Sequence, residues 1–150
     1  IEMGIPWISA SNFSIGMNLM FHLCETLSDS MPFFERPDVS LEETHHKDKK
    51  DLPSGTAKKI AGIFPEDALT INAQRKGNIV GTHSLCIETK EERLVLEHHA
   101  FDRRLYARGA IWAAQELIWQ PHLKGLIWFE DLIKEVLIDK AEKKHATAYR

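Results

Sequence analysis

The sequence has 150 residues, 43% hydrophobic and 27% charged, the size and composition of one globular domain with room for an appendage. Nineteen Lys and Arg against 22 Asp and Glu leave a formal charge of −3, too little positive field for a nucleic-acid binder. No apolar run approaches the ~20 residues of a membrane span, and no basic leader precedes an apolar stretch. Neither nucleic acid nor membrane is therefore expected as a partner.

Ile5-Pro6-Trp7-Ile8-Ser9 is short, apolar and β-biased, and reads as a strand. Ser11-Asn12 offers a cap for a helix on which Phe13, Met17, Met20, Cys24 and Leu27 recur at helical spacing to near Met31. Pro32 and Pro37 punctuate the loop that follows. Residues 39–46 alternate as a strand, with Val39, Leu41, Glu43 and His45 on one face and Ser40, Glu42, Thr44 and His46 on the other. A charged connection from Lys47 to Asp51 leads into a short helix over 57–64, with Ser54 or Thr56 near its start. Residues 68–73 form another strand, and 81–88 with 93–100 make a hairpin around Thr89-Lys90-Glu91-Glu92. A helix that is apolar on almost every side spans 105–119 and closes at Pro121. A last amphipathic helix uses Trp128, Phe129, Leu132, Ile133, Val136 and Leu137, and the polar tail from Lys140 is expected to fray. The class is α+β, a mixed sheet flanked by helices.

Two further features bear on organisation. Cys24 and Cys86 form no CxxC pair and sit in apolar stretches, which fits buried free thiols in a reducing compartment. Trp7, Trp112, Trp119 and Trp128 all lie outside residues 14–103. A helix apolar all round must be covered on all sides, so the two ends are expected to pack on something outside this sequence. The chain opens at Ile1 rather than Met, in keeping with a fragment of something longer.

The sharpest local feature runs from Glu43 to Ala57: two adjacent imidazoles at a strand end, a lysine-rich loop, and a Pro-Ser-Gly-Thr turn opening a helix. Helix starts present unpaired N–H groups, Gly55 allows close backbone approach, and Thr56 adds a hydroxyl, so with His46 and Lys49 the turn is suited to a carboxylate or phosphate. A second imidazole beside it titrates near neutrality and can move a proton. The same residues also make a solvated, capped turn, and spacing alone leaves both readings open. A metal site would draw on His45, His46, His83, His98 and His99. Adjacent histidines on a strand point to opposite faces, however, and no metal is expected. There is no GxGxxG or Walker motif.

These residues resemble the dihydrodipicolinate reductase (4-hydroxy-tetrahydrodipicolinate reductase) family of bacterial and plant lysine and diaminopimelate synthesis. The segment from Thr44 to Ala57 looks like its E-x-H-H-x-x-K-x-D-x-P-S-G-T-A signature, and Asn12 to Asn18 is similar to N-F-S-x-G-x-N. Arg75 to His83 looks like R-x-G-x-I-V-G-x-H. Arg103 with Tyr106, Ala107, Gly109 and Ala110 resembles S-R-x-x-F-A-x-G-A.

The resemblance implies an NADH- or NADPH-dependent reduction of dihydrodipicolinate to tetrahydrodipicolinate, with this chain as the part that follows a nucleotide-binding half. It implies His45 as acid/base, Lys49 as proton donor, and His46, Lys49, Gly55 and Thr56 as holders of the dicarboxylate substrate. Ala10, Ser11, Asn12 and Phe13 fall where the family meets the nicotinamide, and Arg103 falls near the cofactor. Residues 14–103 would form a substrate-binding and oligomerisation domain. Residues 1–13 and 104–150 would belong to hinge and C-terminal segments that pack on a Rossmann-type domain. A cytoplasmic (in a plant, plastid stromal) homotetramer is implied, with Leu94 and Leu96 in its apolar interface. The 150-residue chain alone would be inactive, and which nicotinamide is preferred would be set in the preceding half. Three departures stand out: a short loop between Phe64 and Thr70, Asp102 where the family often has Ser, and Lys47-Asp48 in place of basic or His residues. A stand-alone anion-binding or regulatory module that kept the pocket and lost the chemistry is the competing reading.

Overall fold

The computed structural model describes residues 4–148, with side chains described as far as Ile138. The elements run β1 (Pro6–Ser9), α1 (Ile15–Asp29), a 3-10 turn (Met31–Phe33), β2 (Asp38–His45), α2 (Gly55–Ala61) and β3 (Thr70–Arg75). They continue with β4 (Gly81–Glu88), β5 (Arg93–Ala100), α3 (Arg104–Trp119), β6 (Gly125–Trp128) and α4 (Phe129–Ala148). This is an α+β architecture with a mixed sheet, as expected. The chain divides into two compact units, Ile1–Asn18 with Arg104–Arg150, and Leu19–Arg103.

The Leu19–Arg103 unit is built on a four-stranded sheet in the order β3-β2-β4-β5, with β2 and β3 parallel and the other pairs antiparallel. The alternation in β2 comes out as read: Val39, Leu41, Glu43 and His45 are buried. Leu85 and Ile87 of β4 join that face by register, and the helices supply Met20, Phe21, Cys24, Ala57 and Ile60. α2 begins two residues earlier than the periodicity suggested because Ser54, not Thr56, caps it, its Oγ accepting the Ala57 N–H at 3.1 Å. Leu94 and Leu96 pair with Ile87 and Leu85 and so point to the same side of the sheet, where Leu94 is exposed and Leu96 half-buried. It is Val95, paired with Cys86, that looks the other way. Cys86 is half-buried, while burial pushes the Cys24 thiol up to about 12.

In the other unit β1 and β6 pair in parallel, Pro6 opposite Gly125 and Ser9 opposite Trp128. Trp128 therefore ends a strand rather than opening the last helix, which starts at Phe129. Phe129 is fully buried against the rings of Phe13 and Trp112, at centroid distances of 5.1 and 5.8 Å. The cap of α1 is Ser14, not Ser11-Asn12: Ser14 Oγ accepts the Met17 N–H at 3.1 Å. Asn12 instead accepts the Ser14 N–H on Oδ1 at 2.9 Å, and Asn18 Nδ2 donates to the carbonyls of Asn12 and Ser14, both at 2.8 Å. The N-F-S-x-G-x-N run is thus a local hydrogen-bond knot that satisfies backbone groups at a helix start.

α3 buries Gly109 and Ala113 and leaves Ile111, Ile118 and Trp119 exposed, Trp119 at 79%. Trp7, at 60%, is similarly open. The backbone of α4 stays helical to Ala148 where fraying was expected from Lys140. The side chains of that tail, like residues 1–3 of the expected hinge segment, lie outside the described residues.

Candidate functional site

The site residues of the Leu19–Arg103 unit gather where β2, β3 and β4 meet the connection from His46 to Ser54. The antiparallel register sets Glu43 directly opposite His83, and the period of two returns the β2 chain to the same face at His45. A carboxylate and two imidazoles therefore converge inside the protein. Glu43 is 1% exposed, His83 4% and His45 8%. Glu43 Oε2 lies 3.5 Å from His45 Nδ1 and 3.7 Å from His83 Nε2, and the two rings meet edge to face at 5.2 Å. The other carboxylate oxygen, Oε1, accepts the Ser54 N–H and Arg75 Nη1, each at 3.0 Å.

Arg75 extends this junction into the loop. Its Nε donates to the Lys49 carbonyl at 3.3 Å and its Nη2 to the Asp51 carbonyl. The loop is pinned a second time through backbone bonds, Lys76 N–H to His45 O at 2.8 Å and Lys47 N–H to Gly77 O at 3.1 Å, with Gly77 in the left-handed region at φ +55°. Lys49 is thereby held at its backbone. Its Nζ sits 2.6 Å from Asp51 Oδ1, while Asp51 Oδ2 accepts the Gly55 N–H at 3.3 Å. A carboxylate already lies between Lys49 and the start of α2, and the hydrogen bond from Lys49 lowers the Asp51 carboxyl to about 2. His46, past the end of the strand, receives Arg103 Nη2 at 3.1 Å on Nε2.

The structure thus sorts the sequence-predicted residues into three contacts: His45 with Glu43 and His83, Lys49 and Gly55 with Asp51, and His46 with Arg103. Thr56 lies one residue into α2, half-buried. Ala10, Ser11, Asn12 and Phe13 belong to the other unit, where the side chain of Asn12 and the ring of Phe13 are engaged internally. Sequence reading placed Glu43 on a strand face and at the head of the motif without giving it a role, and gave Arg75 and His83 no part in the anion pocket. A carboxylate on an otherwise apolar face was the visible signal, since a charge there needs partners. One ligand atom each from Glu43, His45 and His83 lies within 4.8 Å of the others, so two of the five histidines considered for a metal do come together. The Arg75 guanidinium on the same carboxylate already supplies positive charge there.

Burial sets the protonation of this cluster. It pushes His83 down to about 4, with His45 adding to the effect and Glu43 opposing it. His45 is likewise lowered, first by burial, with Glu43 opposing and Lys49 and Arg75 assisting. His98 falls for the same first reason. Burial alone would raise Glu43, but hydrogen bonds from Ser54 and Arg75 outweigh it and hold the carboxyl below its ordinary value. The three histidines contribute stability that is fully present above their unfolded value, near 6.5, and is lost as pH falls toward their folded values. Glu43 acts in the same sense, its contribution being lost as pH falls through its lowered value. For His83 the displacement from 6.5 to about 4 corresponds to on the order of 3 kcal/mol. Urea unfolding of the protein should accordingly show level stability above pH 7 and a steady loss between pH 6.5 and 4. A midpoint that stays level down to pH 4 would contradict neutral burial of these rings.

Fold and site together define a class: an α+β sheet unit whose strand ends carry a carboxylate-holding, imidazole-rich turn. Residues 16–133 match the family model described as dihydrodipicolinate reductase, C-terminus, and the chain belongs to that family. The 4-hydroxy-tetrahydrodipicolinate reductase of Gluconobacter oxydans is 34% identical over 150 residues, covering 87% of this chain and 58% of that protein. That of Christiangramia forsetii is 36% identical over 145 residues, covering 87% and 59%. That of Pelagibacter ubique is 37% identical over 152 residues, covering 86% and 57%. The chain spans a little over half the length of these relatives. A solved structure, dipicolinate-bound dihydrodipicolinate reductase from Paenisporosarcina sp. TG-14, shares the fold with a TM-score of 0.71 at 22% identity, covering 85% of this chain and 55% of that one.

Proposed function

We propose that this chain supplies the substrate site and the acid/base groups for NAD(P)H-dependent reduction of 4-hydroxy-tetrahydrodipicolinate to tetrahydrodipicolinate. The observation that carries the reading is the carboxylate of Asp51 held between Lys49 Nζ and the Gly55 N–H. The turn binds a carboxylate of its own, and a dicarboxylate substrate would meet the same donors together with His46, Arg103 and the Thr56 hydroxyl.

Family relationship and geometry support the same division of labour. Reduced nicotinamide, when bound, supplies hydride to a ring carbon of the substrate. The segment 10–13 fits that group as a fixed backbone platform. The bonds among Asn12, Ser14 and Asn18 hold the main chain rigid, and a carboxamide needs only a donor and an acceptor to be oriented. His45 or Lys49 then protonates the negative charge that develops on the substrate, while the start of α2 neutralises its carboxylates. The exposed apolar side chains of α3 and of β1, Trp119 and Trp7 among them, suit a surface covered by further protein in the complete enzyme. A homotetramer in the cytoplasm is part of this reading.

The test is direct. The full-length protein carrying this segment, supplied with freshly formed substrate, should consume NADPH or NADH, followed as loss of reduced-nicotinamide absorbance. Failure to oxidise either cofactor would overturn the reading.

A further inference from the structure

The acid/base role proposed for His45 leaves open which of its two nitrogens handles the exchanged proton, and the geometry around Glu43 answers it. Oε1 of Glu43 is fully engaged by Ser54 and Arg75, so the carboxylate cannot rotate away from its neighbours. Oε2 is left facing His45 Nδ1 at 3.5 Å, and among the described residues both atoms are buried with no hydrogen-bond partner. A buried acceptor and a buried ring nitrogen left facing each other are costly until a proton joins them. On the other side of the ring the antiparallel ladder brings Gly81 against Nε2. A Cβ built there would stand 2.9 Å from Nε2 and 3.1 Å from Cδ2, so glycine keeps space open next to that nitrogen.

We propose that Glu43 is a positioning residue for His45: its Oε2 accepts a hydrogen bond from the Nδ1–H of the ring, leaving Nε2, beside Gly81, as the atom that exchanges a proton with substrate. The resting ring is neutral; a proton taken up from water on the bare Nε2 is passed to the developing substrate anion, which restores the neutral ring, and the Nδ1 proton stays on the ring throughout, bonded to Glu43. His83 braces the same oxygen from β4, its Nε2 at 3.7 Å from Oε2 and 3.5 Å from Ser54 Oγ. The other charged groups acting on the ring are Lys49 and Asp51 from the loop and Arg75 from β3. His98 of β5 acts on His83.

The inference rests on the proposed acid/base role, but its first test needs no turnover. Long-range proton–nitrogen correlation on the full-length protein, with its histidines labelled in 15N, should show neutral His45 protonated on Nδ1 and bare on Nε2. A neutral ring protonated on Nε2 overturns the proposal whether or not the protein reduces dihydrodipicolinate. Conversely, the expected tautomer in a protein without reductase activity would overturn the functional reading alone. Glu43→Gln should release the tautomer and lower kcat tenfold or more, with KM within about threefold. Arg75→Lys, which loosens Oε1 and the loop carbonyls of Lys49 and Asp51 but removes nothing from Oε2, should leave the tautomer in place. If Glu43 served stability alone, both variants would unfold more easily and neither would alter the tautomer. A Glu43→Gln protein that keeps the Nδ1 tautomer and full kcat also overturns the assignment.

Discussion

If the proposed function holds, Lys49→Ala in the full-length protein is expected to lower kcat by ~10²–10⁴-fold with a much smaller change in KM, as the proton-donor role proposed for Lys49 requires. The loop around Lys49 is fixed by Arg75 through the Lys49 and Asp51 carbonyls, so the substitution removes an amine from a position that itself persists. Thr56→Val should do the opposite, raising KM while largely sparing kcat, because the role proposed for the hydroxyl is a ground-state contact to a substrate carboxylate. Lys49→Arg should rescue poorly. A guanidinium keeps the charge that attracts substrate but gives up a proton reluctantly. Steady-state kinetics on the three variants separate these outcomes, and a kcat within about twofold of the parent for Lys49→Ala would reduce the turn to a binding element.

Gly109→Ala is expected to unfold the unit that contains α3. A Cβ at position 109 would fall 1.7 Å from the carbonyl oxygen of Phe13 and 2.9 Å from its carbon. Those are backbone atoms, and the same stretch of backbone is tied to Ser14 and Asn18 by hydrogen bonds. No rotamer change relieves such a contact, so the cost should exceed the roughly 1–3 kcal/mol of ordinary overpacking. Gly62→Ala is the matched comparison: its Cβ would meet only the Lys58 and Lys59 carbonyls, at 3.5 and 3.6 Å, and should be tolerated. Urea titrations of the two variants read the difference. Equal midpoints would mean that the close approach of α3 to Phe13 is not a feature of the folded protein.

Much of this architecture was legible in the residues. Alternation along β2 assigned both faces correctly, because one face is buried and a strand has an unambiguous period. The hairpin of β4 and β5 and the helix α3 were bounded by turn residues and Pro121. β6 was not legible. After Gly125, three apolar residues run straight into Phe129 with no turn residue between them, and so short a run cannot be told from the first turn of the helix that follows. In the site, the Pro-Ser-Gly-Thr turn and its histidines carried their own signal. The partners of Glu43 did not. Ser54, Arg75 and His83 are brought to it by strand register and by a loop conformation, neither of which leaves a local pattern. The pairing of Lys49 with Asp51 was hidden for a similar reason, since a spacing of two has no fixed geometry outside a strand.

Pro6 pairs with Gly125 across nearly the whole length of the chain, whereas β4 and β5 are neighbours joined by a tight turn. The entropy of closing a loop rises with the logarithm of its length, and distant pairings reward the chain only after that cost is met. Phe13 and Gly109 nearly touch, so the chain leaves the first unit and re-enters it at adjacent points. Once residues 19–103 have condensed on their own nearby contacts, the long loop is reduced to a short tether. On loop-closure entropy alone, the middle segment is expected to order first and the pairing of β1 with β6 to follow.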